Sequence, residues 1–258
     1  AAYFGEQAQT LQSCWGGFAE YGMAFDTQAM AEDGADAQSH WSSVKQQIVP
    51  SDMEPGEATM LITLKETLNW IERFRVGPDS SLLIQGSGPV GLAYTRWAKV
   101  LGAHPVLVTG RRDEPLRRCT EAGADAVINV TREDLSARVQ ELTAGRGVDR
   151  VVEAVGLRRL IPESVPLLAP GGSIGVYGIP ESDAADLALP AAVTGGKPWK
   201  LAFFGANEED AHQQVLDAVR LGFVSPGSFI THRLPLDAIA EGFDLLAKKE
   251  AFKVVIEM

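Results

Sequence analysis

Apolar runs and amphipathic stretches alternate along the chain from Leu82 onward. Six short runs rich in apolar and β-branched residues predict strands, and stretches with helical spacing lie between most of them. The predicted strands are 82–85, 106–109, 126–129, 150–154, 173–178 and 200–204, and the predicted helices are 90–101, 114–122, 132–143 and 158–168. Such alternation predicts a doubly wound α/β fold, with helices on both faces of a parallel sheet and the ligand at the carboxyl ends of the strands.

The two ends of the chain do not follow this alternation. Residues 1–50 lack a regular pattern, and their polar stretch 31–43 predicts a surface insertion or a mobile loop. Near the other end, an extended run at 229–236 precedes a helix from Asp237 and a last strand at 253–258. We expect both ends to form a second lobe, which divides the chain into segments 1–58, 59–227 and 228–258.

The first predicted strand runs directly into Gly86-Ser87-Gly88-Pro89-Val90-Gly91, which opens a helix. A Gly-x-Gly-x-x-Gly turn between a strand and a helix is typical of dinucleotide-binding folds. Gly86 would allow the tight turn, Gly88 the close approach of phosphates, and Gly91 the close packing of the helix. The helix start would offer N–H groups and a positive dipole end to the pyrophosphate. The alternative is a Gly-rich turn without a ligand, and the flanking strand and helix favour the dinucleotide.

The second predicted strand leads into Gly110, Arg111 and Arg112. NAD-binding folds usually place an acidic residue about 20 residues after the glycines, where it holds the ribose 2′-hydroxyl. A carboxylate would repel a 2′-phosphate, whereas guanidinium groups would attract it through charge-assisted hydrogen bonds. Two solvated arginines are the alternative, but a helix N-terminus does not favour cations. We therefore expect NADP as the cofactor, with NAD possible.

Composition narrows the class of protein. The chain has 258 residues, enough for one large or two modest domains. A net charge of −11 argues against nucleic acid or a membrane surface as the main partner. No apolar run has the length of a membrane helix, and no secretory signal pattern is present. Cys14 and Cys119 form no metal-type spacing. We expect a soluble cytoplasmic protein.

Together these segments resemble the medium-chain dehydrogenase/reductase superfamily, and within it the zinc-type alcohol, polyol and threonine dehydrogenase branch. The resemblance is carried by Gly16–Tyr21, Gly86–Leu92, Gly145–Gly156, Pro170–Gly178 and Ile230–Leu236, in the family's order. It implies a Rossmann sheet with remnants of a barrel-like (GroES-like) catalytic lobe, most of which is lacking. Segments 1–58 and 228–258 then belong to the catalytic lobe, and 59–227 is the dinucleotide-binding domain.

The resemblance also implies cofactor contacts beyond the glycine turn. It assigns main-chain contacts with the nicotinamide to Tyr177, Ala202 and Phe204, close approach to Gly178, and a pyrophosphate contact to Lys253. It also places Ala154, Val155 and Gly156 at the cofactor. Core packing is the alternative for Tyr177, Phe203 and Phe204, and both roles are compatible because the contacts need only the backbone.

The zinc ligands that the resemblance implies are not visible in this chain. One ligand position falls within Met60–Leu64, at Leu61 or Ile62, where no Cys, Asp or Glu stands. Zinc is therefore expected only if residues outside this chain supply it, and no metal ligand is assigned. Glu66 lies one turn further and could substitute, although an exposed helix glutamate is the favoured alternative. Cys14 and His40 are the other candidates for zinc, without supporting spacing. A catalytic role for His40, His104, His212 or His232 has a structural role as its alternative, which is usual for a lone histidine.

These observations predict an oxidoreductase that transfers hydride between NADP(H) and a small alcohol or carbonyl substrate, with catalytic residues unassigned. The first alternative is a zinc-free quinone or enoyl-type reductase of the same superfamily, and the second is a non-catalytic dinucleotide-binding fragment. We expect this chain to bind cofactor without zinc-dependent alcohol oxidation by itself. The apolar segment Ala184–Thr194 predicts edge-strand pairing into a homodimer or homotetramer.

Overall fold

The computed structural model describes residues 29, 32–34, 47–178, 199–202 and 208–258. The chain divides into two compact units, one of residues 61–225 and one of residues 1–60 with 226–258. The described strands are β1 (Leu82–Gln85), β2 (Val106–Gly110), β3 (Ala126–Asn129), β4 (Val148–Glu153), β5 (Leu168–Val176), β6 (Lys200–Ala202), β7 (His232–Pro235) and β8 (Val254–Glu257). The described α-helices are α1 (Pro55–Ala58), α2 (Met60–Arg73), α3 (Pro89–Val100), α4 (Asp113–Glu121), α5 (Leu135–Leu142), α6 (Leu160–Ser164), α7 (His212–Arg220) and α8 (Ile239–Ala247).

The larger unit is built on a parallel sheet whose described strands run in the order β3-β2-β1-β4-β5-β6. The order reverses between β1 and β4, as in doubly wound sheets that bind a ligand at this switch point. The predicted doubly wound α/β fold is therefore confirmed. Gln85 pairs with Thr109 on one side and with Glu153 on the other, so three buried polar residues mark the carboxyl ends of adjacent strands.

The core of this unit follows from the apolar runs within its strands. All four residues of β1 are buried, because helices cover both faces of a parallel sheet. On one face, Val139, Ile161 and Val165 pack with strand residues such as Leu83 and Leu107. The sheet therefore holds the loops at its carboxyl edge on a rigid support.

Two predicted helices differ from the structure. The helix predicted at 132–143 begins at Leu135, because the Asp134 carboxylate caps it by accepting from the Ala137 N–H (2.9 Å). The helix predicted at 158–168 contains only Leu160–Ser164 and a 3₁₀ turn at Val165–Leu167, and Leu168 already enters β5. Pro166 lies in that turn and cannot donate the backbone hydrogen bond that a continuing α-helix needs.

The smaller unit contains a parallel pair, β7 and β8, connected by α8. Glu54 caps α1 by accepting from the Gly56 N–H (2.7 Å), and both its carboxylate oxygens also accept from Arg233 (2.6 and 3.1 Å). Arg233 bonds Glu257 as well (3.1 Å), so one arginine connects α1, β7 and β8. Among the described residues, none of the helices combines the length and apolarity that crossing a membrane requires.

Candidate dinucleotide-binding site

The turn between β1 and α3 leaves space at the start of a helix. Gly86 has a φ of 116°, which favours glycine. A Cβ on Gly91 would lie 1.9 Å from the Gly86 carbonyl oxygen, so the helix packs on the turn only because Gly91 has no side chain. A Cβ on Gly88 would meet nothing within 4 Å. Gly88 is the N-cap of α3 and makes no side-chain capping bond, so the first-turn N–H groups can bind an anion.

The loop after β4 is organised by Glu153, which the sequence analysis did not identify. Its side chain is buried, and one carboxylate oxygen accepts from the N–H groups of Val155 and Gly156 at 2.8 Å each. The Ala154 N–H donates to the Gln85 carbonyl (3.0 Å), which ties this loop to the end of β1. The predicted residues Ala154, Val155 and Gly156 therefore form one ordered loop beside the glycine turn. The signal in the sequence that could have revealed the role of Glu153 is a carboxylate at the end of an apolar strand.

The segment after β5 joins the same loop. The N–H groups of Tyr177 and Gly178 both donate to the Glu153 carbonyl oxygen, at 2.9 and 3.0 Å. A Cβ on Gly178 would lie 2.2 Å from the Gly156 nitrogen, so two backbone segments approach closely here. The structure thus brings Tyr177 and Gly178 to the loop of Gly156, as a common backbone surface at the carboxyl edge.

At the end of β2, Gly110 lies against the glycine turn. A Cβ on Gly110 would come within 2.3 Å of the Ser87 Oγ. An acidic side chain at position 110 would therefore require Ser87 to move. The position of Ser87 therefore fits a glycine, and not an acidic residue, at position 110.

The two arginines after β2 differ in their surroundings from Asp113, which follows them. Asp113 accepts from both terminal nitrogens of Arg132 (2.7 and 2.9 Å) and from the Asn129 side chain (2.8 Å). The hydrogen bond from Arg132 is the main reason that the pKa of Asp113 is lowered. Arg111 and Arg112 are exposed, and Arg111 makes no ion pair or hydrogen bond within the described part of the chain. Its positive charge is therefore open to a ligand.

The remaining predicted cofactor residues lie in three places. Ala202 is in β6, where it pairs in register with Gly175 of β5. Lys253 belongs to the smaller unit, and its carbonyl oxygen accepts from the Thr231 N–H (2.9 Å). Phe204 and Phe203 lie outside the described residues.

Glu66 differs from the exposed glutamate that the sequence favoured. It is half-buried on α2. Burial, followed by the negative charge of Glu66, raises the pKa of Tyr177. Tyr177 therefore stays a neutral phenol.

Two of the histidines have local partners. His104 Nδ1 lies 3.2 Å from Asp125, and His232 Nδ1 lies 2.9 Å from the Thr231 hydroxyl. His212, expected in an exposed helix pattern, is half-buried at the start of α7. His40 and Cys14 lie outside the described residues.

A zinc site does not fit the described residues. Within ranges 47–178, 199–202 and 208–258, no three His, Cys, Asp or Glu side chains are grouped to hold a metal ion. Leu61 and Ile62, the two positions at which the resemblance implies a ligand, are apolar side chains that are 3% and 62% exposed. No step involving zinc can therefore be assigned to these residues.

A doubly wound sheet with a glycine-bounded turn at its switch point is typical of dinucleotide-binding folds. Residues 89–220, just over half of the chain, match the zinc-binding dehydrogenase family, so the chain belongs to that family. The resemblance inferred from the sequence is thereby confirmed.

Individual relatives agree with this assignment. An alcohol dehydrogenase of Cupriavidus necator is 31% identical over 68% of this chain and 47% of its own length. An L-threonine 3-dehydrogenase of Bacillus velezensis is 28% identical over 80% of this chain and 59% of its own. The solved alcohol dehydrogenase TADH from Thermus sp. ATN1 superposes with a TM-score of 0.75 at 30% identity, covering 84% of this chain and 63% of that one. The chain thus spans about half the length of the curated relatives it matches.

Proposed function

We propose that this chain carries the cofactor-binding part of an oxidoreductase that transfers hydride between NADP(H) and a small alcohol, polyol or carbonyl compound. The observation that carries the proposal is the β1–α3 turn, where Gly86 and Gly91 create a helix start without a side-chain cap. The names of the relatives, alcohol dehydrogenase and L-threonine 3-dehydrogenase, support this substrate class. The bound nicotinamide would supply the hydride chemistry.

The residues of this chain would bind and orient that cofactor. The first-turn N–H groups of α3 and the helix dipole would hold the pyrophosphate. The backbone surface that Glu153 organises, with Gly156 and Gly178, would receive the nicotinamide half. Because the carboxylate already fixes the loop at Val155 and Gly156, the surface is ordered before the cofactor arrives.

NADP rather than NAD is supported by the end of β2. Arg111 has no acidic partner among the described residues, and Asp113 is already paired with Arg132. A 2′-phosphate placed beside Gly110 would gain charge-assisted bonds from Arg111 and a bond from the Ser87 hydroxyl.

Titration of the unaltered protein with NADPH and NADH tests this preference, and we expect NADPH to bind more tightly. In Arg111→Gln/Arg112→Gln, losing one charge-assisted contact of about 1.5–3 kcal/mol should weaken NADPH binding at least about tenfold and leave NADH nearly unchanged. Arg117→Gln removes an exposed arginine from α4 and serves as the control. Equal or tighter binding of NADH by the unaltered protein would overturn the NADP assignment. A variant designed to prefer NADH through Gly110→Asp should also carry Ser87→Gly, because a Cβ at position 110 would lie 2.3 Å from the Ser87 Oγ.

A zinc-free reductase of the same superfamily is the second candidate, favoured by the apolar residues Leu61 and Ile62 at the implied ligand position. Turnover assays over alcohols, quinones and enoyl compounds, with and without a chelator, separate the two. Binding without any turnover would favour the non-catalytic alternative.

Association into a homodimer or homotetramer is also part of the proposal, although segment Ala184–Thr194 lies outside the described residues. Light scattering at micromolar concentration tests it, and a monomer would contradict it.

A further inference from the structure

Glu153 is a buried carboxylate whose partners are backbone groups. It is 1% exposed, and no lysine, arginine or histidine of the described residues forms an ion pair with it. One carboxylate oxygen accepts from the N–H groups of Val155 and Gly156 at 2.8 Å each, and the Leu157 nitrogen lies 3.4 Å from the same oxygen. Successive N–H groups that converge in this way form a nest for an anion. Here the anion is a side chain of the protein itself.

The burial of this carboxylate fixes the conformation of the loop after β4. A buried charge is costly unless it is hydrogen-bonded, and the loop N–H groups supply those bonds. If the loop moved away, the carboxylate would lose its donors while the strand still kept it inside the protein. Gly156 has a φ of 87°, a conformation that favours glycine. The glycine therefore permits the nest, and the carboxylate stabilises it.

The same residue also binds the segment that follows β5. The Glu153 carbonyl oxygen accepts from the N–H groups of Tyr177 and Gly178. A Cβ on Gly178 would lie 2.7 Å from the second carboxylate oxygen of Glu153 and 2.2 Å from the Gly156 nitrogen. Glu153 thus contacts one loop with its carboxylate and the other with its carbonyl. Residues 154–157 and 177–178 therefore form one unit, which we call the β4–β5 edge.

The glycine turn after β1 has a separate support. The Gly86 N–H donates to the Thr109 carbonyl of β2 (3.1 Å), and Gly110 lies against the Ser87 hydroxyl. Neither contact involves the Glu153 side chain. A dinucleotide binds across the switch point of such a sheet, with its adenosine ribose at the end of β2. The adenosine half would therefore depend on the turn and β2, and the nicotinamide half on the β4–β5 edge.

We propose that Glu153 is a positioning residue for the nicotinamide half alone, and that the adenosine half binds independently of it. The inference rests on the proposed dinucleotide function and adds the residue that separates the two halves of the site. In Glu153→Ala the loop N–H groups lose their acceptor and the β4–β5 edge gains other conformations. Affinity falls with the fraction of molecules that remain competent to bind, so NADPH binding should weaken at least about tenfold. Adenosine 2′,5′-bisphosphate, which lacks the nicotinamide half, should bind within about twofold of its affinity for the unaltered protein.

Titrations with NADPH, by its fluorescence, and with adenosine 2′,5′-bisphosphate, by calorimetry, test the proposal. Glu153→Gln keeps an oxygen that can accept from the same N–H groups. Because bonds to a neutral acceptor are weaker, we expect the ratio of NADPH affinity to bisphosphate affinity to fall only about threefold in this variant. Asp149→Ala is the matched control, since it removes a half-buried carboxylate from the other end of β4, where Ser81 donates to it. That variant should lose stability and keep both affinities.

Equal weakening of both ligands in Glu153→Ala would mean a structural role alone and would overturn the proposal, as would an unchanged ratio. If Glu153→Ala does not fold, the ratio in Glu153→Gln decides in the same way. Hydrogen exchange adds a measurement without substitution: the Val155 and Gly156 amides should be protected before any cofactor is added, and unprotected amides would contradict the proposal. Failure of the unaltered protein to bind either ligand would overturn the proposed function. Binding of both ligands with an unchanged ratio in the variants would overturn this inference alone.

Discussion

Gly88 and Gly91 are three residues apart, yet the structure assigns them opposite sensitivities to a methyl group. A Cβ on Gly91 would lie 1.9 Å from the Gly86 carbonyl oxygen and 2.8 Å from its carbon, well inside ordinary contact. Because both atoms are backbone, α3 or the turn must move. We expect Gly91→Ala to cost about 1–3 kcal/mol of unfolding free energy and about 3–10 °C in Tm.

Gly88→Ala should behave differently. The site is open, and the φ of −76° and ψ of −172° at Gly88 suit any residue. The lower N-cap preference of Ala opposes its entropic advantage in the unfolded chain, so stability should change by less than about 1 kcal/mol. The methyl group would nevertheless stand where phosphates approach, and losing one charge-assisted bond should weaken NADPH binding at least about tenfold.

Thermal unfolding and fluorescence titration on both variants check this pair. The expected pattern is a stable Gly88→Ala protein that binds poorly and a Gly91→Ala protein with a clearly lowered Tm. An unchanged Tm in Gly91→Ala would refute the packing argument. Unchanged affinity in Gly88→Ala would refute the assignment of this turn to the pyrophosphate.

Two further predictions concern acidic residues. Asp149→Ala removes the acceptor for the Ser81 N–H (3.0 Å) and hydroxyl (2.6 Å) and for Arg146, so urea unfolding at neutral pH should show a loss of about 1.5–3 kcal/mol. Burial would raise the pKa of Asp149, but hydrogen bonds from Arg146 and Ser81 lower it to about 2. The stability that Asp149 contributes is therefore complete above its ordinary pKa and is lost as the pH falls through about 2. A loss of stability in Asp149→Ala that is the same at every pH would contradict this. The hydrogen bond from Arg233, followed by that from a backbone N–H, lowers the pKa of Glu54 to about 2, so Arg233→Gln should move its NMR titration toward 4.5, and an unshifted titration would refute the assignment.

The fold was predictable because its signals are local. The strands of a doubly covered sheet are largely apolar, so β1 and β2 were visible as runs. The turn was visible because Gly86 and Gly91 meet steric demands that no other residue meets. The error at 132–143 arose because Asp134 is equally compatible with a helix interior and a cap in the sequence, and only the bond to Ala137 decides.

The missed parts of the site depend on contacts between distant segments. Glu153 ends an apolar strand, and nothing nearby shows that its carboxylate turns back to Val155 and Gly156. Glu66 and Tyr177 are far apart in sequence, on α2 and after β5, and the charge of Glu66 acts on Tyr177 because α2 packs there, as the contact between the Trp70 and Tyr177 rings shows. Sequence spacing identifies where the cofactor would bind, but not which side chains hold the loops around it.

The proposed preference for NADP depends on local charge. The chain has a net charge of −11, so a phosphate-rich ligand is repelled in general and needs local cations. Arg111 would supply one, because it is exposed and makes no ion pair within the described residues, whereas Asp113 is neutralised by Arg132. Since salt screens exposed charges, the ratio of NADPH affinity to NADH affinity should fall as the salt concentration rises. A ratio that is the same at low and high salt would show that the preference does not come from an exposed arginine.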